Sequence, residues 1–275
     1  MNARPLVLLT DFGSTDFYAG VMRSVLASAS PASPIIDLHH DIPAHDISAA
    51  SFVLARTFEY LPRDAVIVCV VDPGVGTERR CVAITIAERT LIGPDNGFAS
   101  DLLLAVSGHV GPQFYEIDPG AARGETGMGV RGATFHGRDI FAPVAAAIAN
   151  GTDATRFGQR LDGIVMLRDV PSASLDGEVI HGRARYVDGF GNVMTDIPEA
   201  LVRRLSRDLT GIRVSVAGHD AGWLRSTYAE AKERELVALV NSWGLVEAAV
   251  NGGRAIDHLG NPAPASIGFE LRARH

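Results

Sequence analysis

The first 150 residues alternate between short β-branched runs and stretches with helical spacing, and no other feature narrows the fold as much. The runs are Leu6 to Leu9, Pro34 to Leu38, Ala65 to Val71 and Cys81 to Ile86. Asp16 to Ala27 sets Phe17, Val21 and Val25 on one helical face. Asp46 to Leu61 opens on an N-capping acid, Asp46, and repeats apolar residues at Ile47, Leu54 and Phe58. A third helix is expected from Ile140 to Ala149, capped by Asp139, with Pro143 in the first turn, where a missing N–H costs little. Strands that read as continuous apolar runs and alternate with helices imply a mainly parallel sheet covered on both faces. The expectation is a Rossmann-like α/β domain.

From about residue 170 the pattern changes. GEVIHGRARYVDGFGNVMTDI, IRVSV, LVALVN, LVEAAV and IGFELRA are short strand candidates separated by Gly, Asn and Asp turns, with one convincing helix, Pro198 to Leu205. This predicts a smaller all-β, barrel-like module. The expected division is an α/β domain over residues 1–170 and a β-barrel over 175–275, joined near VPSAS, Val170 to Ser174. A chain of 275 residues, 47% apolar, has the length for two such domains and enough apolar side chain for two cores.

Charge and patterning exclude several function classes. Twenty-five basic against 32 acidic residues give −7, which argues against a surface built to neutralise phosphate backbones and so against a nucleic-acid partner. The longest apolar run, Ala65 to Val71, has strand length and is far short of the ~18 residues a membrane span needs, so no membrane partner is expected. MNARPLVLLTDFG has no apolar core or cleavage site of a signal peptide. Cys69 and Cys81, both in strand-like runs, read as buried, inert thiols of a cytoplasmic protein.

In a parallel sheet, ligands collect at the carboxyl ends of the strands. Three apolar runs here end in acids followed by Gly turns: LVLLTDFG (Asp11), VIVCVVDPGVG (Asp72) and LIGPDNG (Asp95, Asn96). Any one of these is readily a plain turn, but three on one sheet edge suggest a site. Acids and Asn without bases suit a ribose diol or a cationic sulfonium. DPGVGTERR adds Arg79 and Arg80, and an Arg folding back onto Asp72 would hold it ionised; an exposed surface pair is the plain alternative. TFHGRDIFAP sets His136, Arg138 and Asp139 at a helix start, where His136 is either a core histidine or a site residue.

Two further patterns argue for less than they promise. GMGVRG, Gly127 to Gly132, matches G-x-G-x-x-G but neither follows a strand nor opens a helix, so no nicotinamide site is expected. DLHHDIPAHD packs Asp37, His39, His40, Asp41, His45 and Asp46 into ten residues without helical His-x3-His spacing. Hydrogen-bonded loop polars are the better reading of it than a metal site, and no metal or cofactor is expected. In the second module Asp188, Phe190 and Asn192 alternate and share one side of a regular strand, where a ring and an amide suit a purine; a Gly-rich hairpin is the alternative. Ser242 and Glu247 lie in and after a strand end of NSWGLVEAAVN.

TDFGSTD, DPGVGTERR, GPDNG, TFHGRDIFAP, DGFGNVMTDI and NSWGLVEAAVN, in that order and spanning nearly the whole chain, closely resemble the S-adenosyl-L-methionine (SAM) hydroxide adenosyltransferases, or SAM hydrolases. These are relatives of the SAM-dependent fluorinase and chlorinase. The resemblance implies a Rossmann-like domain, a C-terminal β-barrel, a homotrimer with sites between subunits, and hydrolysis of SAM to adenosine and L-methionine. It assigns the water-activating set to Asp72, Arg79 and His136, the ribose acid to Asp11, and the amino-acid end of SAM to Asp16 and Asp188. Phe190 and Asn192 match adenine-side residues, Ser242 a polar ligand contact, and Glu247 with the Val250 backbone adenosine contacts. Trp243 follows Ser242 where the fluorinase pattern has Arg, which leaves a contact to the methionine carboxylate unassigned.

The residues also bear on the nucleophile. The halogenases resemble a version with Tyr at the position of Asp72. A carboxylate there repels halide but accepts a proton from water, and the stretch from Ile86 to Gly93 lacks the fluorinase insertion. A halide:SAM adenosyltransferase and a non-catalytic adenosine or SAM sensor are the competing readings. A binding-only protein has no need of Asp72, Arg79 and His136 together.

Overall fold

The apolar runs of the first half become the centre of a seven-stranded sheet. Its strands are β1 (Leu6–Thr10), β2 (Ile35–His39), β3 (Val66–Val70), β4 (Cys81–Ile86), β5 (Arg89–Pro94), β6 (Gln113–Glu116) and β7 (Arg160–Leu161), in the order β2-β1-β3-β5-β4-β6-β7. The structure, a computed structural model, describes residues 3–106, 111–127 and 132–274. The chain forms two compact units, Met1–Arg168 and Asp169–His275.

In the first unit β2, β1, β3 and β5 run parallel, whereas β4, β6 and β7 extend the sheet antiparallel, so the sheet is mixed. Every residue of β1 and β3 is buried, as strands covered on both faces require. Helices α1 (Tyr18–Ala29) and α5 (Ala142–Ala149) lay Met22, Leu26, Val144 and Ile148 against Leu6, Leu8, Val66 and Val68. Helix α2 (Ile47–Thr57) packs on β1 and on α3 (Ser100–Ala105), and α4 (Pro119–Thr126) packs on α5. Asp46 caps α2 as expected, accepting the Ala49 N–H at 2.9 Å.

Two details of the helix reading are corrected. α1 buries Ala19, Met22 and Leu26 rather than the face led by Phe17. Phe17 sits at the N-cap, stays exposed and stacks on Tyr18 with ring centroids 4.5 Å apart. Asp139 does not cap the third helix. The backbone turns at Gly137–Phe141 with π-type spacing, Asp139 falls inside that turn, and α5 follows it. Of the G-x-G-x-x-G stretch, residues 128–131 lie outside the described residues.

The second unit is antiparallel. Its strands are β8 (Ser174–Asp176), β9 (Val179–Val187), β10 (Val193–Pro198), β11 (Ile212–Val216), β12 (His219–Trp223), β13 (Leu236–Val240), β14 (Leu245–Val250) and β15 (Gly268–Ala273). The order is β12-β11-β15-β9-β10-β14-β13, with β8 beside β9. A bridge from Arg225 to Leu239 brings the two ends together, so the sheet nearly closes into a barrel. Its interior holds Ile180, Val193, Ile197, Val214, Val246 and Phe269. The predicted helix forms as α6 (Glu199–Leu205) with Pro198 at its N-cap, and α7 (Ala255–His258) is a short addition.

Candidate active site

Asp11 and Asp72 stand just beyond the carboxyl ends of the adjacent parallel strands β1 and β3. Asp11 is held by its neighbour loop: His45, at a left-handed φ of 65°, donates its backbone N–H to Asp11 Oδ2 at 2.8 Å. After Asp72 the chain makes a tight loop in which Thr77 Oγ1 donates to the Gly74 carbonyl at 2.7 Å. Gly76 has φ +81°, and a Cβ there would lie 2.9 Å from the Ala133 carbonyl oxygen, so the loop needs glycine at this close approach.

The loop returns Arg79 onto Asp72. Arg79 Nε donates to Asp72 Oδ1 at 2.9 Å and Nη2 donates to Oδ2, a bidentate pair with both side chains nearly covered. Nη2 also lies 2.8 Å from His136 Nδ1, and Nη1 donates to Cys81 Sγ at 3.0 Å. The guanidinium carbon sits 5.5 Å from the Phe141 ring centroid. A guanidinium has only donors, so His136 Nδ1 is the acceptor and the neutral ring carries its proton on Nε2. Burial, and then the Arg79 charge, push the His136 pKa below its ordinary value. The expected fold-back of Arg79 is thus present, and His136 joins it.

These groups line a pocket of about 640 Å³ in the first unit, with Asp11, Asp72, His45, His136 and Arg138 supplying its polar wall. Phe12, Tyr18 and Phe135 form the apolar wall; Phe12 and Tyr18 each meet Phe135 edge-on, at 5.7 and 5.4 Å between centroids. Asp16 is exposed and does not line the pocket. Asp95 also departs from the expected cluster of three strand-end acids. Its Oδ2 accepts Arg80 Nε at 2.8 Å and its Oδ1 the Val165 N–H at 2.7 Å, while Asn96 Nδ2 donates to the Val71 carbonyl. Asp95 and Asn96 brace the sheet edge; the pocket keeps two of the three acids.

In the histidine-rich segment His40 makes one side-chain hydrogen bond and one close contact with an acid. His40 Nδ1 lies 2.9 Å from Thr10 Oγ1 and its Nε2 3.2 Å from Asp37 Oδ1. Asp37 in turn pairs with Arg23. Among the described residues, no three His, Cys, Asp or Glu side chains are grouped to hold a metal ion. Both cysteines are buried, and burial raises both thiol pKa values.

The second unit carries a pocket of about 560 Å³ to which Asp188, Phe190, Asn192, Ser242, Glu247 and Val250 all contribute. The first three do not alternate along a strand. They form a turn between β9 and β10, in which Asp188 Oδ1 accepts the N–H groups of Phe190 and Asn192, each at 2.9 Å. Gly191, at φ +83°, lets the chain reverse there, and Asn192 Nδ2 donates to Asp188 Oδ2 at 3.1 Å. Phe190 is left 79% exposed, a ring face presented outward. Glu247 is 1% exposed on β14, with Tyr228 Oη donating to Oε1 at 2.7 Å and Asn241 Nδ2 to Oε2 at 2.9 Å. Burial drives its pKa up, against those two hydrogen bonds. Tyr228 and Asn241 are pocket residues the sequence reading missed. Asn241 stood directly before Ser242 in NSWG, whereas nothing around Tyr228 signalled a site.

Comparison with known proteins settles what these two units are. Residues 6–158 match the SAM hydroxide adenosyltransferase N-terminal domain, and residues 182–266 the corresponding C-terminal domain. The chain belongs to the SAM hydroxide adenosyltransferase family. A protein of Thermus thermophilus named (R)-S-adenosyl-L-methionine hydrolase is 37% identical over 94% of this chain and 96% of its own length. One of Salinispora arenicola with the same name is 39% identical over 91% of each chain. A fluorinase of an Actinoplanes species is more distant, 22% identical over 71% of this chain. A crystal structure of a conserved protein from Thermotoga maritima superposes with a TM-score of 0.85 and 32% identity, covering 97% of this chain and 99% of its own. Both domain matches and both hydrolase relatives thus span the two pockets, one in each unit of the family fold.

Proposed function

We propose that this protein hydrolyses S-adenosyl-L-methionine to adenosine and L-methionine, water attacking C5′ in line with the C5′–S bond. The observation that carries the reading is the Asp72–Arg79–His136 constellation at the carboxyl end of the parallel strands. The sulfonium departs as a neutral thioether and needs no general acid. The barrier lies in the nucleophile, so the site's work is to position a water and take its proton. Arg79 fixes Asp72 and meets His136 Nδ1, leaving Nε2–H as a donor. Asp72 is then the proton acceptor and His136 the group that orients the water. A carboxylate at this point disfavours halide, which is why water and not chloride is the nucleophile here.

Asp11 binds the ribose hydroxyls, and the second-unit pocket takes the adenine. Phe190 stacks on the base and Asn192 and Glu247 read its edge; Ser242 and Val250 line the same pocket. Asp16 and Asp188 serve the amino-acid end. The test is chromatography of SAM incubated with the pure protein. Equimolar adenosine and methionine are expected. A 5′-halo-adenosine made on adding chloride would establish the halogenase reading instead, and unchanged SAM with tight adenosine binding a sensor.

The same reading makes the protein a cytoplasmic homotrimer with its sites between subunits, and an environment where Cys69 and Cys81 stay reduced fits it. Sedimentation at working concentration is expected to give a trimer, and dilution into monomer is expected to abolish adenosine binding. A stable, fully active monomer would overturn this. Activity is also expected to survive EDTA unchanged, because the sulfonium already supplies the electrophilic activation a metal would bring. Loss of turnover restored by zinc or magnesium would return His39, His40 and His45 to consideration as ligands.

A further inference from the structure

We propose that Arg138 binds the α-carboxylate of the substrate's methionine end through the free edge of its guanidinium. The inference rests on the SAM reading and adds to it a contact the sequence left unassigned. Arg138 Nε and Nη2 donate to Asp139 Oδ1 and Oδ2 at 2.7 and 2.9 Å, so a buried acid holds one edge of the fork. The flat face lies 5.1 Å from the Phe135 ring centroid, which fixes the plane of the group. A guanidinium has five N–H donors. Two are engaged by Asp139, and the remaining three, on Nη1 and Nη2, meet no acceptor among the described residues. Those nitrogens form the end-on edge that matches a carboxylate bidentately. The side chain is 30% exposed and lines the first-unit pocket together with Asp11, Asp72 and His136.

Elimination points the same way. Among the described residues Arg79 is the other guanidinium beside this pocket, and Asp72, His136 and Cys81 engage four of its five N–H groups. The second-unit pocket is lined by the acids Asp188 and Glu247 and, among the described residues, by no Lys or Arg. Asp139 cancels part of the Arg138 charge. The gain is therefore directional: two parallel N–H···O bonds that set where the carboxylate lies and, through it, the line of the C5′–S bond.

The experiment compares SAM with decarboxylated SAM, in which hydrogen replaces the α-carboxyl group, on the wild type, Arg138→Gln and Arg138→Lys. For the wild type, removing the carboxylate is expected to lower kcat/KM about 10–100-fold, through kcat as well as KM, the range for a charge-assisted pair that also sets the line of attack. In Arg138→Gln the two substrates are expected to differ by less than about 3-fold, because the partner is already gone. Arg138→Lys falls between, keeping charge but not the fork. Adenosine affinity, measured by calorimetry, is expected to stay within about 3-fold in every variant, since the nucleoside contacts are untouched. Equal carboxylate penalties in wild type and Arg138→Gln would overturn the proposal, and so would a wild type indifferent to the carboxylate, a readout that stands even if a variant does not fold. If the wild type cleaves neither compound, the hydrolase reading fails, and the equilibrium affinities of the two sulfonium compounds still decide the Arg138 contact.

Discussion

Asp72→Ala is expected to lower kcat by about 10²–10⁴-fold, the range for losing a positioned proton acceptor. Arg79→Ala should cost a similar factor although Arg79 does not receive the proton. Both oxygens of Asp72 are held by that one guanidinium, which also meets His136 Nδ1. Without it the carboxylate loses its aim and the imidazole its anchor. Two groups that act as a unit are not additive. The double variant Asp72→Ala with Arg79→Ala is therefore expected to cost little more than either single change, in single-turnover adenosine release. Adenosine affinity should change far less, because Asp11, held by His45, is untouched. Losses that multiply in the double variant would mean two independent roles and would sink the unit description.

The parts of this site that were legible in the sequence are those fixed by local chain geometry. An apolar run ending in Asp and Gly marks the end of a buried strand, so Asp11 and Asp72 could be placed side by side once the sheet was known to be parallel there. The seven-residue return from Asp72 to Arg79 was readable as a loop able to fold back, and Gly76 explains why it can. Asp95 carried the same local signal and was misread, because its partners are Arg80, fifteen residues before it, and Val165, seventy residues on. No local pattern distinguishes an acid aimed into a cleft from one aimed at a strap that crosses the sheet edge.

The second unit repeats the lesson in another form. Alternation of Asp188, Phe190 and Asn192 suggested one strand face, yet the residues share a pocket because Asp188 folds the segment into a turn. The three residues share a pocket through a turn and not a strand face, since Gly191, at a left-handed φ, lets the chain reverse where a regular strand was expected. β12 was missed because HDAGW lacks the β-branched density of its neighbours and takes its place by pairing with β11 and packing Ala221 into the barrel core. Tyr228 was invisible for a related reason: its partner Glu247 lies nineteen residues away, and only the folded barrel brings the two together.

His136→Ala is expected to lower turnover by about 10²–10⁴-fold as well, and the wild type's pH profile should carry the histidine's signature. Burial and the Arg79 charge both disfavour the imidazolium, so the folded-state pKa lies below the ordinary histidine value near 6.5. Protonation would put a proton on Nδ1 facing Arg79 Nη2, two donors and two positive charges 2.8 Å apart. The acid limb of kcat/KM is therefore expected below pH ~6.5 and not at it. The sign for stability follows from the same shift. As pH falls, the unfolded chain takes up the proton first, so this group's contribution is full above the unfolded pKa and is lost as pH falls toward the folded one. Arg79→Gln removes one of the two causes and leaves burial, so the acid limb should move up toward the ordinary value in that variant, read at whatever activity remains. An acid limb already at or above pH ~6.5 in the wild type, or one that stays fixed in Arg79→Gln, would mean that the imidazole does not face the guanidinium in the working enzyme.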